Sequence, residues 1–324
     1  MTLDQVTTPE PQPDELILRV DACGICGSDL HLAGMDLEGP ILGHEIAGTI
    51  EEVGSSVDTD RWAVGRSVAV RPTVGCHTCD WCQQGRPDHC ADYGLIGLER
   101  FGGFAEYVAV PALDVFALPA TVVGTEQALV EPLAVARQTL RRAALRPGEN
   151  VLVIGGGPIG LAVTAWAKVL GADNVLVSEP VAVRRQLAEA MGADGVVDPT
   201  EVDLTEAVAH HLGGPPPVVV ECAGSPGRIN DAMEQADRRG RVVVVAILFA
   251  PDSIVPWFGL QKELDVRFAM FYDPVDFTDT LDALDARRLD VASMVTDTVT
   301  LDQLPDRFSL MAERPDAGKV VLLP

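Results

Sequence analysis

The apolar run Val151–Ile154 passes directly into Gly155-Gly156-Gly157-Pro158-Ile159-Gly160, and a helical pattern follows from Leu161 to Leu170. A strand that ends in G-x-G-x-x-G and opens a helix leaves few folds available, because the backbone must turn tightly and the helix must pack hard against its sheet. The text downstream keeps this rhythm. Apolar runs return at 174–177, 195–197, 218–220, 241–247 and 266–271, with helix-like segments such as 183–191 and 228–236 between them. Continuous β-branched runs alternating with helices predict a parallel sheet covered on both faces, an open α/β domain of the doubly wound type.

Each glycine of the turn has a task. Gly155 permits the tight turn, Gly157 lets backbone approach a pyrophosphate, and Gly160 lets helix and strand pack closely. The helix N-terminus adds N–H groups and a partial positive charge. Glu179 closes the next strand, nineteen residues past Gly160, placed to accept hydrogen bonds from the adenosine ribose hydroxyls. A 2′-phosphate would be repelled there, which favours NAD over NADP. Arg184 and Arg185 follow, and either flank the adenine or meet a 2′-phosphate. The bland alternative is a Gly-rich turn in some other α/β protein.

Before residue 130 the text is different. Segments 15–20, 46–53, 67–70 and 104–110 read as short strands broken by Gly, Pro and Asp, which predicts a β-rich, barrel-like domain. Further helix and strand patterns close the chain at 277–288 and 319–323. Inside the first region lies Cys76-x2-Cys79-x2-Cys82-x7-Cys90. Four thiolates from one loop close a tetrahedral zinc site with no open position, so the reading is a structural zinc. An iron–sulfur cluster is the rival, but its last gap is normally shorter and followed by Pro, whereas Ala91 follows Cys90. His77 and His89 read as exposed bystanders. Cys26, in Gly24-Ile25-Cys26-Gly27-Ser28-Asp29-Leu30-His31, and Gly43-His44-Glu45 offer a second donor set, one that leaves a position open for substrate. On spacing alone, Cys26 as core filler and His44 as a satisfied buried histidine remain open readings.

Charge and cysteine usage exclude other classes. The 324 residues give room for about two domains at roughly 150 residues each. Twenty-four Lys plus Arg face 48 Asp plus Glu, a net charge of −24, and such a surface repels phosphate backbones and anionic lipid. Nucleic acid and membrane are therefore not expected partners. No apolar run approaches the ~20 residues of a membrane helix, and no basic stretch precedes an apolar one at the N-terminus. Seven cysteines, an odd number, suit a reducing compartment, with cytoplasm as the expectation. Cys23 and Cys222 read as buried thiols, and His210 and His211 as solvent-facing.

Together these segments resemble the zinc-containing medium-chain alcohol and polyol dehydrogenases, most of all the sorbitol and 2,3-butanediol branch. GICGSDLH (24–31), GHE (43–45), the four-cysteine loop, GGFAEYV (102–108), VEPLAVA (130–136), GGGPIG (155–160), VSEP (177–180) and GKVVL (318–322) carry the resemblance in family order. It implies a β-rich GroES-like catalytic domain (1–132 and 272–324) and a doubly wound Rossmann-type NAD-binding domain (133–271). It implies two zinc ions per chain, a catalytic one on Cys26 and His44 with Glu45 and Glu131 as ligands or close partners, and a structural one on Cys76, Cys79, Cys82 and Cys90. Without the resemblance, Glu131-Pro132 reads as a helix start. Ser28 and His31 are implied as the proton relay, with Asp29 supporting the site from behind. Ile159, Glu179, Arg184 and backbone near Ala246 and Phe271 are implied as NAD contacts. The implied activity is hydride transfer between a small-molecule secondary alcohol, diol or polyol and NAD, in a homodimer or homotetramer, with the sheet edge at 242–246 as a seam and Trp257 near the subunit interface. Two departures from the pattern are expected: the family's usual first strand is missing, through either a misassigned start codon or a differently built barrel edge, and Leu32–Leu42 is shortened where the loop normally lines the substrate pocket. Other readings are a relative acting on threonine, a sugar or an aldehyde hydrate, and a non-catalytic nucleotide-binding paralogue.

Overall fold

The computed structural model describes residues 1–33, 39–313 and 318–324, so part of the shortened Leu32–Leu42 stretch (34–38) lies outside the described residues. The chain forms two units. One comprises Met1–Glu131, Asp273–Asp285 and Val295–Pro324; the other comprises Pro132–Tyr272 and Ala286–Met294.

In the first unit the chain lays down β1 (Glu15–Ile25), α1 (Gly27–Ala33), β2 (Glu45–Val53), β3 (Ser67–Val70), β4 (Thr73–Val74), α2 (Asp80–Gln83), β5 (Gly94–Leu95), β6 (Tyr107–Pro111) and β7 (Val115–Ala117). Strand β1 is buried along nearly its whole length because β2, β6 and a C-terminal strand all pair with it. Leu16, Leu18, Val20, Ile46, Ile50, Val68, Val70, Val108 and Val110 fill the core between these strands. Each such side chain contributes about 1.5–3 kcal/mol relative to exposure. The expected strand at 104–110 begins only at Tyr107. Gly103 and Phe104 instead donate their N–H groups to Gly43 and Leu42, tying this loop to the GHE turn.

The second unit opens with α3 (Val130–Arg142), whose first two residues belong to the preceding unit, and continues through β8 (Val151–Ile154), α4 (Pro158–Val169), β9 (Val175–Ser178), α5 (Ala182–Ala190), β10 (Gly195–Val197), α6 (Leu204–Leu212), β11 (Val218–Glu221), α7 (Arg228–Gln235), β12 (Arg241–Val244), α8 (Pro256–Lys262) and β13 (Asp265–Phe268). All six strands pair in parallel, in the order β10-β9-β8-β11-β12-β13. Strand order reverses beside β8, between β9 and β11, which is where open α/β sheets bind ligands at their carboxyl ends. The expected seam at 242–246 is corrected here. Strand β12 is interior, covered by β11 and β13, and the edge strands are β10 and β13.

The chain returns to the first unit through α9 (Pro274–Asp285), β14 (Val295–Val299), α10 (Leu304–Glu313) and β15 (Lys319–Leu322). There β14-β15-β1-β2-β3-β7 form one sheet, with β6 also on β1. Strand β15 runs antiparallel to the end of β1 with Cys23 opposite Leu322 and Ile25 opposite Val320, which brings Lys319 to the Cys26 turn.

Candidate active site

Cys26 follows the last residue of β1, and His44 and Glu45 enter β2, so antiparallel pairing of the two strands brings the three together. Their ligand atoms all lie within 4.8 Å of one another. Gly43 has φ +94°, and a side chain there would strike the Phe104 ring, so the turn that aims His44 needs glycine. A Cβ at Gly24 would stand 1.9 Å from Glu45 Oε2; its absence makes room for the carboxylate.

Asp29 is fully buried behind the cluster. Its Oδ2 accepts the Cys26 N–H at 2.9 Å and its Oδ1 lies 3.2 Å from His44 Nδ1. Burial works against a charged His44, but Asp29 and the Cys26 thiolate outweigh it and hold its pKa well above the ordinary value. The same field favours a metal cation at this point, and a mixed sulfur, nitrogen and oxygen donor set suits zinc. The residues present fit the ion. Lys319 Nζ donates to Glu45 Oε1 at 2.6 Å and to the Ile25 carbonyl at 3.2 Å. Burial opposes its charge, and Glu45, Cys26 and Glu131 together hold its pKa above normal. Sequence reasoning missed this residue, although a lysine opening an otherwise apolar strand was the visible signal.

Glu131 is buried in the first turn of α3 but is not one of the three clustered donors. Ser28 is half-buried and His31 exposed on α1.

The four sulfurs of Cys76, Cys79, Cys82 and Cys90 also lie within 4.8 Å of one another. N–H groups of Cys79 and Asp92 and the Thr78 hydroxyl donate to Cys76 or Cys90 sulfur at 3.3 Å. Hydrogen bonding, first of all from Thr78, draws the Cys76 thiol down to about 6, while burial raises Cys82 to about 12. Bound as thiolates, the four match a closed tetrahedral site. His77 departs from the sequence expectation. It is half-buried, with Nε2 3.4 Å from the buried Asp114, because a backbone φ of +57° turns it inward.

In the second unit the dinucleotide residues gather at the carboxyl ends of β8, β9, β11 and β12. Gly155 has φ +98°, and a Cβ there would lie 2.7 Å from Ala223 N. A Cβ at Gly160 would lie 1.9 Å from the Gly155 carbonyl oxygen, while Gly157, before Pro158 and Ile159 of α4, faces open space. This is a cradle of the kind a pyrophosphate needs. Glu179 accepts the N–H of Gly156 at 2.8 Å and of Val181 at 2.9 Å. Arg184 stands 3.9 Å from it. Arg185 is occupied elsewhere, donating to the carbonyls of Glu179 and Pro180 and to Asp198. Ala246 lies across from Gly224, and Phe271 follows β13 with φ +55°. Glu221, also missed, closes β11 as Glu179 follows β9; it accepts the N–H groups of Ala223 and Gly224, and burial raises its pKa.

Residues 12–120 match the alcohol dehydrogenase GroES-like domain and residues 158–286 the zinc-binding dehydrogenase family. Scyllo-inosose 3-dehydrogenase of Thermotoga maritima is 33% identical over 97% of this chain and 88% of its own length. Sorbitol dehydrogenase of Bacillus subtilis is 32% identical over 99% and 94%. An Escherichia coli CFT073 alcohol dehydrogenase solved with NADH superposes with a TM-score of 0.90 at 29% identity, covering 98% of this chain and 94% of that one. The chain belongs to the zinc-binding, medium-chain alcohol and polyol dehydrogenase family, with a GroES-like domain and a Rossmann-type domain.

Proposed function

We propose that the protein transfers a hydride between a secondary alcohol, diol or polyol and NAD, with the unit containing Cys26 as the catalytic domain and the unit containing Gly155 as the cofactor domain. The convergence of Cys26, His44 and Glu45 with Asp29 buried behind them carries this reading. When bound, zinc supplies Lewis acidity to the substrate hydroxyl and NAD accepts the hydride. The chain's own residues do the rest. Asp29 fixes the Cys26 backbone and the His44 ring, so both donors meet the metal without reorganising. Lys319 holds one oxygen of Glu45 and leaves the other, Oε2, buried without a hydrogen-bond partner. Ser28 Oγ would accept the hydroxyl proton while handing its own on, by way of the nicotinamide ribose hydroxyl, to His31, which is exposed on the same helix and releases a proton to solvent. Glu179 receives the adenosine ribose hydroxyls, and its charge selects NAD against a 2′-phosphate.

The same reading extends to assembly and compartment. Edge strand β13 exposes Phe268, and Trp257, Leu260 and Met270 nearby are also exposed, an apolar set that suits a homodimer or homotetramer. All seven cysteines are free, which suits the cytoplasm. No described helix is long and apolar enough to cross a membrane. The test is zinc per chain by elemental analysis, on protein assayed with NAD and a panel of vicinal diols, polyols and secondary alcohols. Near two zincs with NADH production supports the reading. Near one zinc with NAD binding and no turnover overturns it in favour of a non-catalytic nucleotide-binding paralogue.

A further inference from the structure

The four-cysteine loop has little apolar material of its own. Helix α2 buries no side chain, Trp81 is half exposed, and only Pro87 and Cys90 are buried between 76 and 92. Burial this sparse does not offset the entropy of ordering such a segment. Two polar anchors flank it instead. At its start, His77 leans on Asp114, which is fully buried and also takes Arg71 Nε at 3.2 Å and a second guanidinium nitrogen at 2.5 Å. Arg71 N–H donates to the Asp114 carbonyl at 2.7 Å, so this anchor belongs to the barrel wall.

The second anchor lies between the third and fourth cysteines. The Arg86 fork spans Asp88, at 3.1 and 2.7 Å, and its Nε stands 3.2 Å from Asp273 Oδ1. Beside it Gly85, at φ +78°, brings backbone so near Pro274 that a Cβ would lie 2.8 Å from the ring. Asp273 is the first residue of the chain's return to the first unit, and its N–H donates to Asp276 Oδ2 as α9 begins. Two residues earlier, Phe271 is held at φ +55°, a conformation a bulky aromatic keeps only when its surroundings impose it.

We propose that the metal-loaded cysteine loop is a latch on this return crossover, with Arg86 as the positioning residue that holds segment 271–276. One end of the loop is fixed to the barrel through Asp114 and the other presses on Asp273 and Pro274. The metal sets the spacing between the two ends, because four thiolates on one ion leave the loop a single arrangement. With the ion removed, Cys82–Cys90 loses its hold and Asp273 its guanidinium. That Phe271 contacts the dinucleotide, so that the latch also positions a cofactor residue, rests on the proposed function; the latch itself does not.

Hydrogen–deuterium exchange of the zinc-replete protein tests it. Arg86→Gln and, from the opposite side, Asp273→Asn should each speed exchange across 271–276 several-fold with zinc content unchanged. Strands β8 and β11 should exchange as in the parent, and Arg86→Lys should recover part of the protection. Stepwise chelation, with emptying of the loop read as alkylation of Cys79 and Cys82, should raise exchange at 271–276 in step with thiol exposure. Parent-like exchange at 271–276 in both charge-removing variants, or after the cysteine loop has been emptied, overturns the latch.

Discussion

Lys319 Nζ stands 2.6 Å from Glu45 Oε1 at the C-terminal strand's entry to the metal cluster, and both side chains are almost wholly out of water. Each charge is tolerable only because of the other, since an unpaired buried ion is far costlier than a paired one. Lys319→Met should therefore destabilise the protein by about 3–5 kcal/mol, the usual result of removing one partner of a buried pair. Urea unfolding measures this. The pKa of Lys319 is raised on folding, so the pair's contribution is fully present below the unfolded value of about 10.4 and is lost as pH rises through the higher folded value. The parent should lose stability in that alkaline window, and the variant should lack the step. Equal stability of the two proteins at neutral pH would show that the pair adds nothing.

Cys26→Ala removes a sulfur donor from the cluster of three without touching the glycine cradle of the other unit. Zinc should fall by about one ion per chain and turnover by a factor of roughly a thousand or more, as expected where a metal stabilises the developing charge. NADH binding, read by fluorescence titration, should remain close to that of the parent. Full turnover with one zinc missing would remove Cys26 from the catalytic site.

Much of this was legible in the sequence because glycine, cysteine and acid sit at spacings fixed by local backbone geometry. Gly155 to Gly160 and Glu179 mark one βαβ unit, in which Gly160 packs against the Gly155 carbonyl and Glu179 accepts the Gly156 N–H. Cys76 to Cys90 likewise lie in one loop. What could not be read depends on pairing between distant strands. Lys319 reaches Glu45 only because β15 aligns Ile25 with Val320, a register no local pattern states. The sheet edge expected at 242–246 was misplaced for the same reason: β12 and β13 are both short, and only strand order tells that β13 is the outermost of the two. His77 was misread because its inward turn requires a left-handed backbone that a histidine in sequence does not announce.

Under the proposed function the adenosine ribose meets Glu179, which has Arg184 3.9 Å away. A unit charge about 4 Å from a 2′-phosphate is worth about 1–4 kcal/mol, depending on local screening. Glu179→Gln keeps the shape and removes the charge, so the preference for NAD over NADP should fall by about tenfold or more. Steady-state kcat/KM with both cofactors measures the ratio. An unchanged ratio would assign cofactor choice to another residue.

A net charge of −24 means that the surface repels itself. The chain has three lysines. Lys319 is buried against Glu45, Lys262 sits on the carbonyls of Met233, Glu234 and Ala236 at the end of α7, and Lys168 is paired with Asp194. Added salt shortens the range of the remaining repulsion, from a Debye length of about 30 Å at 0.01 M to about 3 Å at 1 M. The thermal midpoint of the zinc-loaded protein should therefore climb by several degrees as potassium chloride is raised across that range. The exposed ion pairs, such as Arg19 with Glu51, weaken over the same range and work in the opposite direction, but each is worth less than about 1 kcal/mol. A midpoint that stays level or falls would mean that pairs of this kind, rather than the net charge, govern the protein's response to salt.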